Sequence, residues 1–124
     1  MSLQQPKITG IGGVFFKTKD PEATRNWYQK HLGIDVSPWG ATFVQDPEKT
    51  DKTQWSPFPQ DSTYFEPSTK EFMINYRVQN IEGLVAQLKA DGVALLDEIT
   101  SHEYGKFVHL LDLDGTKLDL WEPA

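Results

Sequence analysis

From Ile8 to Lys19 the side chains alternate, with Gly13, Phe15 and Lys17 on one side and Val14, Phe16 and Thr18 on the other. This period of two predicts a strand. The run breaks at Asp20-Pro21-Glu22. There an aspartate able to cap free amides, a proline suited to the first turn and a glutamate complementing the positive helix end predict a helix start. Ala23, Trp27, Tyr28 and Leu32 follow at helical spacing, and Gly33 supplies the left-handed residue that ends a helix. Sixty residues on, Ile74, Tyr76 and Val78 take the places of Val14, Phe16 and Thr18, and Asn80 takes that of Asp20. Ile81, Leu84, Val85 and Leu88 then form a second apolar stripe that closes at Gly92-Val93. One duplication of this length is too long and too few for a solenoid. It predicts two equivalent half-modules, about 7–66 and 71–124, within a single domain over 1–124.

After each helix the pattern reads as strands, over 39–45 and 53–58 in the first half and over 93–99, 106–112 and 116–121 in the second. Each half is therefore expected to be βαβββ. Asp114-Gly115 predicts a tight hairpin between the last two strands. The charged stretch 46–52 predicts an exposed loop, and Pro57, Pro59 and Pro67 predict an edge strand and connector over 57–68.

With 124 residues, 38% of them hydrophobic and 12% aromatic, the chain has material for one core. Its net charge of −6 makes a poor surface for neutralising phosphates, so no nucleic-acid partner is expected. The lack of cysteine excludes disulfides, thiolate nucleophiles, zinc fingers and iron–sulfur ligation by this chain. No apolar run approaches the length of a membrane span, and the opening residues lack the basic start and apolar stretch of a signal peptide. A cytoplasmic protein with no membrane partner is the expectation. Gly10-Ile11-Gly12-Gly13 opens a strand instead of lying between strand and helix, so it is not a dinucleotide fingerprint.

The run from Gly13 to Asp20, followed by Trp27-Tyr28 and Leu32-Gly33, resembles the opening of the vicinal oxygen chelate superfamily, which includes glyoxalase I, bleomycin-resistance proteins and extradiol dioxygenases. The stretch Asp112-Leu113-Asp114-Gly115-Thr116-Lys117-Leu118-Asp119-Leu120-Trp121 is similar to that family's aspartate–glycine hairpin leading into a strand with a carboxylate. With the duplication, the resemblance covers nearly the whole chain. It implies an α+β fold in which two βαβββ modules form curled mixed sheets around a cavity, with helices on the outer face, commonly in a homodimer.

Metal-using relatives hold one divalent ion at four inward positions. The resemblance places the first at Gly13, the third at Met73 and the fourth at Asp119, while a 60-residue offset from Asp119 lands on Pro59. Neither glycine nor methionine suits a hard or borderline divalent ion, and one carboxylate does not hold a catalytic ion. The reading therefore has no metal ligands and no cofactor, with a divalent metal held by non-standard ligands as the alternative. Alternation turns Phe15, Lys17, Met73, Asn75 and Arg77 inward, joined by Val108, Leu110, Asp119 and Trp121. Trp55, in proline-rich chain, and Tyr104, in the loop before Lys106, are further candidates for ligand contact. If Leu110 opposes Asp119 across the hairpin, His109 points to the other face as a structural histidine, and Asp119 is expected to pair with Lys17 or Arg77.

Two functions follow from these residues. The first is a small-molecule-binding protein with a mixed cavity, its acidic balance favouring a cationic ligand and its Lys17 and Arg77 an anionic one. The second is an enzyme of the glyoxalase or dioxygenase type. It would use Asp119 as a ligand together with His102, Glu103 or a dimer partner's residue, or as a general base with a pKa raised by burial.

Overall fold

A computed structural model describes residues 4–44, 46 and 52–124, and the charged loop expected over 46–52 lies mostly outside them. The order along the chain is β1 (Lys7–Thr18), α1 (Pro21–Leu32), β2 (Ala41–Val44), β3 (Lys52–Pro59), β4 (Phe72–Gln79), α2 (Ile81–Ala90), β5 (Thr100–His102), β6 (Gly105–Leu111) and β7 (Lys117–Pro123). Both helices start where the caps predict. Asp20 Oδ1 accepts from the Ala23 amide at 3.1 Å, and Asn80 Oδ1 accepts from the Gly83 amide at the same distance.

The strands form one mixed seven-stranded sheet in the order β2-β3-β1-β4-β7-β6-β5. The duplication shows in its pairing, because β1 runs parallel to β3 as β4 runs parallel to β7, and the halves join where β1 lies antiparallel to β4. The fold is α+β, as expected. Among the described residues no helix is long and apolar enough to cross a membrane.

The halves depart from the expected βαβββ in two places. Among the described residues the first half has β2 and β3 after its helix, with one bridge between Ser37 and Gly40 before them. In the second half the strand expected over 93–99 is reduced to one bridge, Leu95 to Leu110. Its physical cause is Asp97, whose Oδ1 accepts from the His109 amide at 2.8 Å and so takes the place of a ladder carbonyl. The connector expected over 57–68 is also corrected. Pro57 and Pro59 belong to β3, which lies inside the sheet order, but β2 pairs with β3 only as far as Trp55. The prolines thus fall where β3 has β1 as its one partner, and the missing donors cost the sheet little.

Two cores lie on opposite faces. On the outer face α2 packs Ile81 and Val85 against Val78, Val108, Leu110 and Leu120. On that face α1 rests more lightly, with Tyr28 4.8 Å from Trp55 between ring centroids and no fully buried residue of its own. On the inner face Phe15 and Met73 pack against Phe65, which comes from the connector after β3. Phe65 is fully buried, so Phe65→Ala is expected to cost about 3–5 kcal/mol in unfolding free energy by urea titration. A loss below about 1 kcal/mol would show that this cluster is not a packed core.

Candidate functional site

The inner face of the sheet surrounds a cavity of about 500 Å³, within the usual range for small-molecule sites. Phe15 of β1, Gln54 and Ser56 of β3, Asn75 of β4, Phe107 of β6 and Trp121 of β7 form its floor and walls. Trp39, before β2, and Tyr104, between β5 and β6, complete the lining. Among the described residues, five aromatic rings and three uncharged polar side chains face the space, and no charged one does. Trp121 donates through Nε1 to the Tyr104 carbonyl at 2.9 Å and stacks on Phe107 at an interplanar angle of 5°. These contacts fix the β5–β6 turn to the wall.

A row of residues crosses the floor from strand to strand. Gly13 is in register with Gln54 on one side and Asn75 on the other, Asn75 with Asp119, and Asp119 with His109. A register shift in β1 between Ile11 and Gly13 makes Gly12 the extra residue of a bulge. A Cβ at Gly12 would meet Asn75 and Trp121, and one at Gly13 would meet Gln54 and Phe15. Both glycines thus turn toward the inner face, as neighbouring bulge residues can, and let the β1 backbone lie close against Asn75 and Gln54.

Asp119 is 1% exposed and sits behind Asn75, whose Nδ2 donates to Asp119 Oδ2 at 2.8 Å. Its other oxygen lies 3.3 Å from His109 Nε2, without the geometry of a hydrogen bond. Burial pushes the Asp119 carboxyl up to about 6, against the opposing pull of His109 and the Asn75 amide. His109 Nδ1 is 2.7 Å from Asp97 Oδ2, and since a carboxylate only accepts, that nitrogen carries the hydrogen. Tyr64 Oη is 3.1 Å from the other ring nitrogen. Burial, followed by the negative charges of Asp119 and Asp97, pushes the Tyr64 phenol well above its ordinary range. Lys117 donates to the Tyr64 carbonyl and lies over its ring, and burial pulls its ammonium pKa down.

The residues expected to face a ligand divide into two groups. Phe15, Asn75, Tyr104 and Trp121 line the cavity. Met73 is buried against Phe15 and Phe65, and Lys17 holds its ammonium over the Phe65 ring. Arg77 lies along Gly10 and lines a separate polar cleft with Thr9, Gln79 and Glu122. Trp55 packs outward on Phe16 and Tyr28. Asp119 does not pair with Lys17 or Arg77 as expected: Asn75 bonds one of its oxygens, and the other lies beside His109.

Leu110 and His109 exchange the faces expected of them, and the hairpin is the reason. Asp112 Oδ1 accepts from the amides of both Asp114 and Thr116, and Gly115 takes a φ of 82°. The result is a three-residue loop in place of a two-residue one, and the pairing moves to Leu110 with Leu118 and His109 with Asp119. A one-residue slip carries every side chain of a strand to the other face. Val108 and Leu110 therefore join the outer core, while Phe107 and His109 face inward. Phe107, Trp39, Gln54 and Ser56 were not among the expected ligand contacts; for Gln54 and Ser56 the missing signal was the register of β1 against β3.

That register also supplies the second position of the metal site implied by the resemblance. Phe15 pairs with Ser56 as Asn75 pairs with Asp119, so Ser56, and not Pro59, is the counterpart of Asp119. The four positions are then Gly13, Ser56, Met73 and Asp119. They offer one hydroxyl, one thioether packed in a core and one carboxylate already bonded to an amide, a set that does not fit a hard divalent ion. Asp97, His109 and Asp119 do not replace it. The two carboxylates approach opposite nitrogens of one ring and cannot converge on an ion, and no group of three or more ligating side chains is set for a metal among the described residues.

No curated protein matches the chain. Among solved structures it is similar to methylmalonyl-CoA epimerase from Mycobacterium tuberculosis, with 20% identity, TM-score 0.65 and coverage of 94% of this chain and 89% of the other. The Streptomyces coelicolor methylmalonyl-CoA epimerase in complex with 2-nitronate-propionyl-CoA gives 19% identity, TM-score 0.68 and coverage of 95% and 99%. A superfamily member from Vibrio splendidus 12B01 gives 15%, 0.57, and coverage of 88% and 95%. At these identities the likeness is one of fold. The family model for the Glyoxalase/Bleomycin resistance protein/Dioxygenase superfamily matches residues 10–120, and the chain belongs to that superfamily.

Proposed function

We propose that the chain binds an uncharged, planar small molecule in its sheet cavity and does so without a divalent metal. The observation that carries this reading is the lining itself, five aromatic rings and three neutral polar groups around about 500 Å³. An apolar enclosure with a few polar groups to orient the ligand is the ordinary form of a small-molecule site, and burying a charge there without a partner is costly. Lys17 and Arg77 point elsewhere, which removes the argument for an anionic ligand. The Streptomyces coelicolor relative is solved with a CoA-linked ligand, but nothing charged in this lining favours a phosphate-bearing molecule.

Asp119 fits a positioning role better than that of a general base. It stands behind Asn75 and holds that amide in the cavity wall, so a substrate in the hollow meets Asn75 first. The outer face leaves Ile11, Val14, Trp27 and Leu32 exposed, which supports assembly as a homodimer.

A neutral naphthalene dye whose emission shifts to the blue on leaving water tests the reading. Prodan is expected to bind once per chain, with a blue shift and quenching of tryptophan emission from Trp121. Emission unchanged from that in buffer at high protein concentration would overturn it.

A further inference from the structure

The polar atoms of the lining differ in what they can give a ligand. Asn75 Oδ1 is sealed from solvent, and Nδ2 of the same amide is bonded to Asp119. The Trp121 N–H is spent on the Tyr104 carbonyl, so Trp121 presents its ring and not a donor.

Strand β3 is different. Ser56 is 7% exposed and lines the hollow. Its hydroxyl has no hydrogen-bond partner among the described residues, yet it is not one of the side-chain oxygens sealed from solvent. Gln54 stands two residues back on the same face of the strand, roughly 7 Å away along it, and lines the hollow too. Thr42 faces Gln54 across the β2–β3 ladder and donates from Oγ1 to Gln54 Oε1 at 2.7 Å. The amide is thereby turned to leave Nε2, which only donates, as its free end. One wall of the cavity thus carries two neighbouring donors. The rings of Phe107 and Trp121 stand on β6 and β7, beyond β1 and β4 in the sheet order.

A ligand oxygen that leaves water for this enclosure loses its bonds to solvent and regains them only where a donor meets it. Such a wall discriminates between molecules of one shape by whether they bring an acceptor. Resting on the cavity reading above, we infer that the site selects uncharged planar arenes bearing a carbonyl or a comparable neutral acceptor, to which Ser56 Oγ–H and Gln54 Nε2–H donate. Thr42 is a positioning residue that holds the Gln54 amide in this orientation.

The test is displacement of prodan from the intact protein by 2-acetylnaphthalene and by 2-isopropenylnaphthalene, which differ in C=O against C=CH2 on one planar frame. In a cavity without donors the alkene, the more apolar of the two, binds more tightly. The ketone is instead expected to bind more tightly, by about threefold or more. Ser56→Ala removes a single oxygen, and Gln54→Met keeps the length of the side chain while removing the amide. Each is expected to reduce the ratio of ketone to alkene affinity by about threefold. Should either variant fail to fold, the comparison on the unaltered protein decides. An alkene that binds as tightly as the ketone there would overturn the acceptor requirement and leave the cavity reading in place, as would a ratio unchanged in both variants. Displacement by neither compound would overturn both.

Discussion

Asp119→Asn is expected to make the protein more stable at pH 7, by about 2–3 kcal/mol. The carboxyl titrates near 4 when exposed and at about 6 in the fold, where burial is the main cause of the rise. Between those values the folded chain holds a proton that the unfolded chain has released, so stability falls as pH rises through this window. Two pH units correspond to about 3 kcal/mol, present in full below pH 4 and lost above pH 6. Glu82 and Asp112 act in the opposite sense, since a hydrogen bond from Lys106 and one from the Thr116 amide hold their carboxyls low. Their effect falls at lower pH than that of Asp119.

Asparagine at position 119 keeps the shape of the side chain and removes the buried charge. Its carbonyl accepts from Asn75 Nδ2, and its amide takes the place of the oxygen that lies 3.3 Å from His109 Nε2 without a hydrogen bond. Urea unfolding of both proteins from pH 4.5 to 7.5 measures the difference. The variant should lose the downward slope and gain stability at the upper end. A variant less stable at pH 7, with the slope retained, would mean that the carboxylate is not the strained group.

The second large effect is expected at Gly105, where Gly105→Ala should cost about 3–5 kcal/mol and weaken ligand binding. Its φ is 133°, a region that a side chain disfavours by about 1–3 kcal/mol. The added Cβ would also lie 2.4 Å from the Glu122 carbonyl and 2.6 Å from Trp121 Nε1, and relieving such overpacking costs about 1–3 kcal/mol. The strand cannot move aside alone, because Trp121 Nε1 is bonded to Tyr104 next to the substitution. Two cavity walls would shift with it, so the change in prodan affinity should accompany the change in urea midpoint. A variant that keeps both would show that the β5–β6 turn does not shape the site.

What the sequence made legible was local. Asp20 and Asn80 announced both helices because an N-cap is a contact between near neighbours, and their spacing announced the duplication. Alternation along β1 and β4 placed Phe15 and Asn75 correctly on the inner face, and the Trp121 position followed from the closing strand. Long-range register was not legible. Asp112 bonding to Thr116 lengthened the hairpin by one residue and exchanged His109 for Leu110, which hid the chain from Asp97 through His109 to Asp119. The bulge at Gly12 likewise leaves no mark in a pattern of period two, yet it sets the β1 backbone close against Asn75. The counterpart of Asp119 was misplaced on Pro59 because the halves carry loops of unequal length, and only the pairing of Phe15 with Ser56 identifies it. The charged side chains Lys17 and Arg77 leave the cavity toward the ends of their strands, where their ammonium and guanidinium groups need not be buried.

On the function proposed above, the cavity of this superfamily member works without the divalent ion that metal-using relatives hold. Metal stoichiometry tests it most directly. Protein prepared without chelator would be offered Zn²⁺, Ni²⁺, Mn²⁺ and Fe²⁺ in turn, passed through gel filtration and measured for bound ion, alongside Asp119→Asn. The expected result is no stoichiometric ion in either protein. One tightly held ion per chain, lost in Asp119→Asn, would contradict the account and make Asp119 a metal ligand.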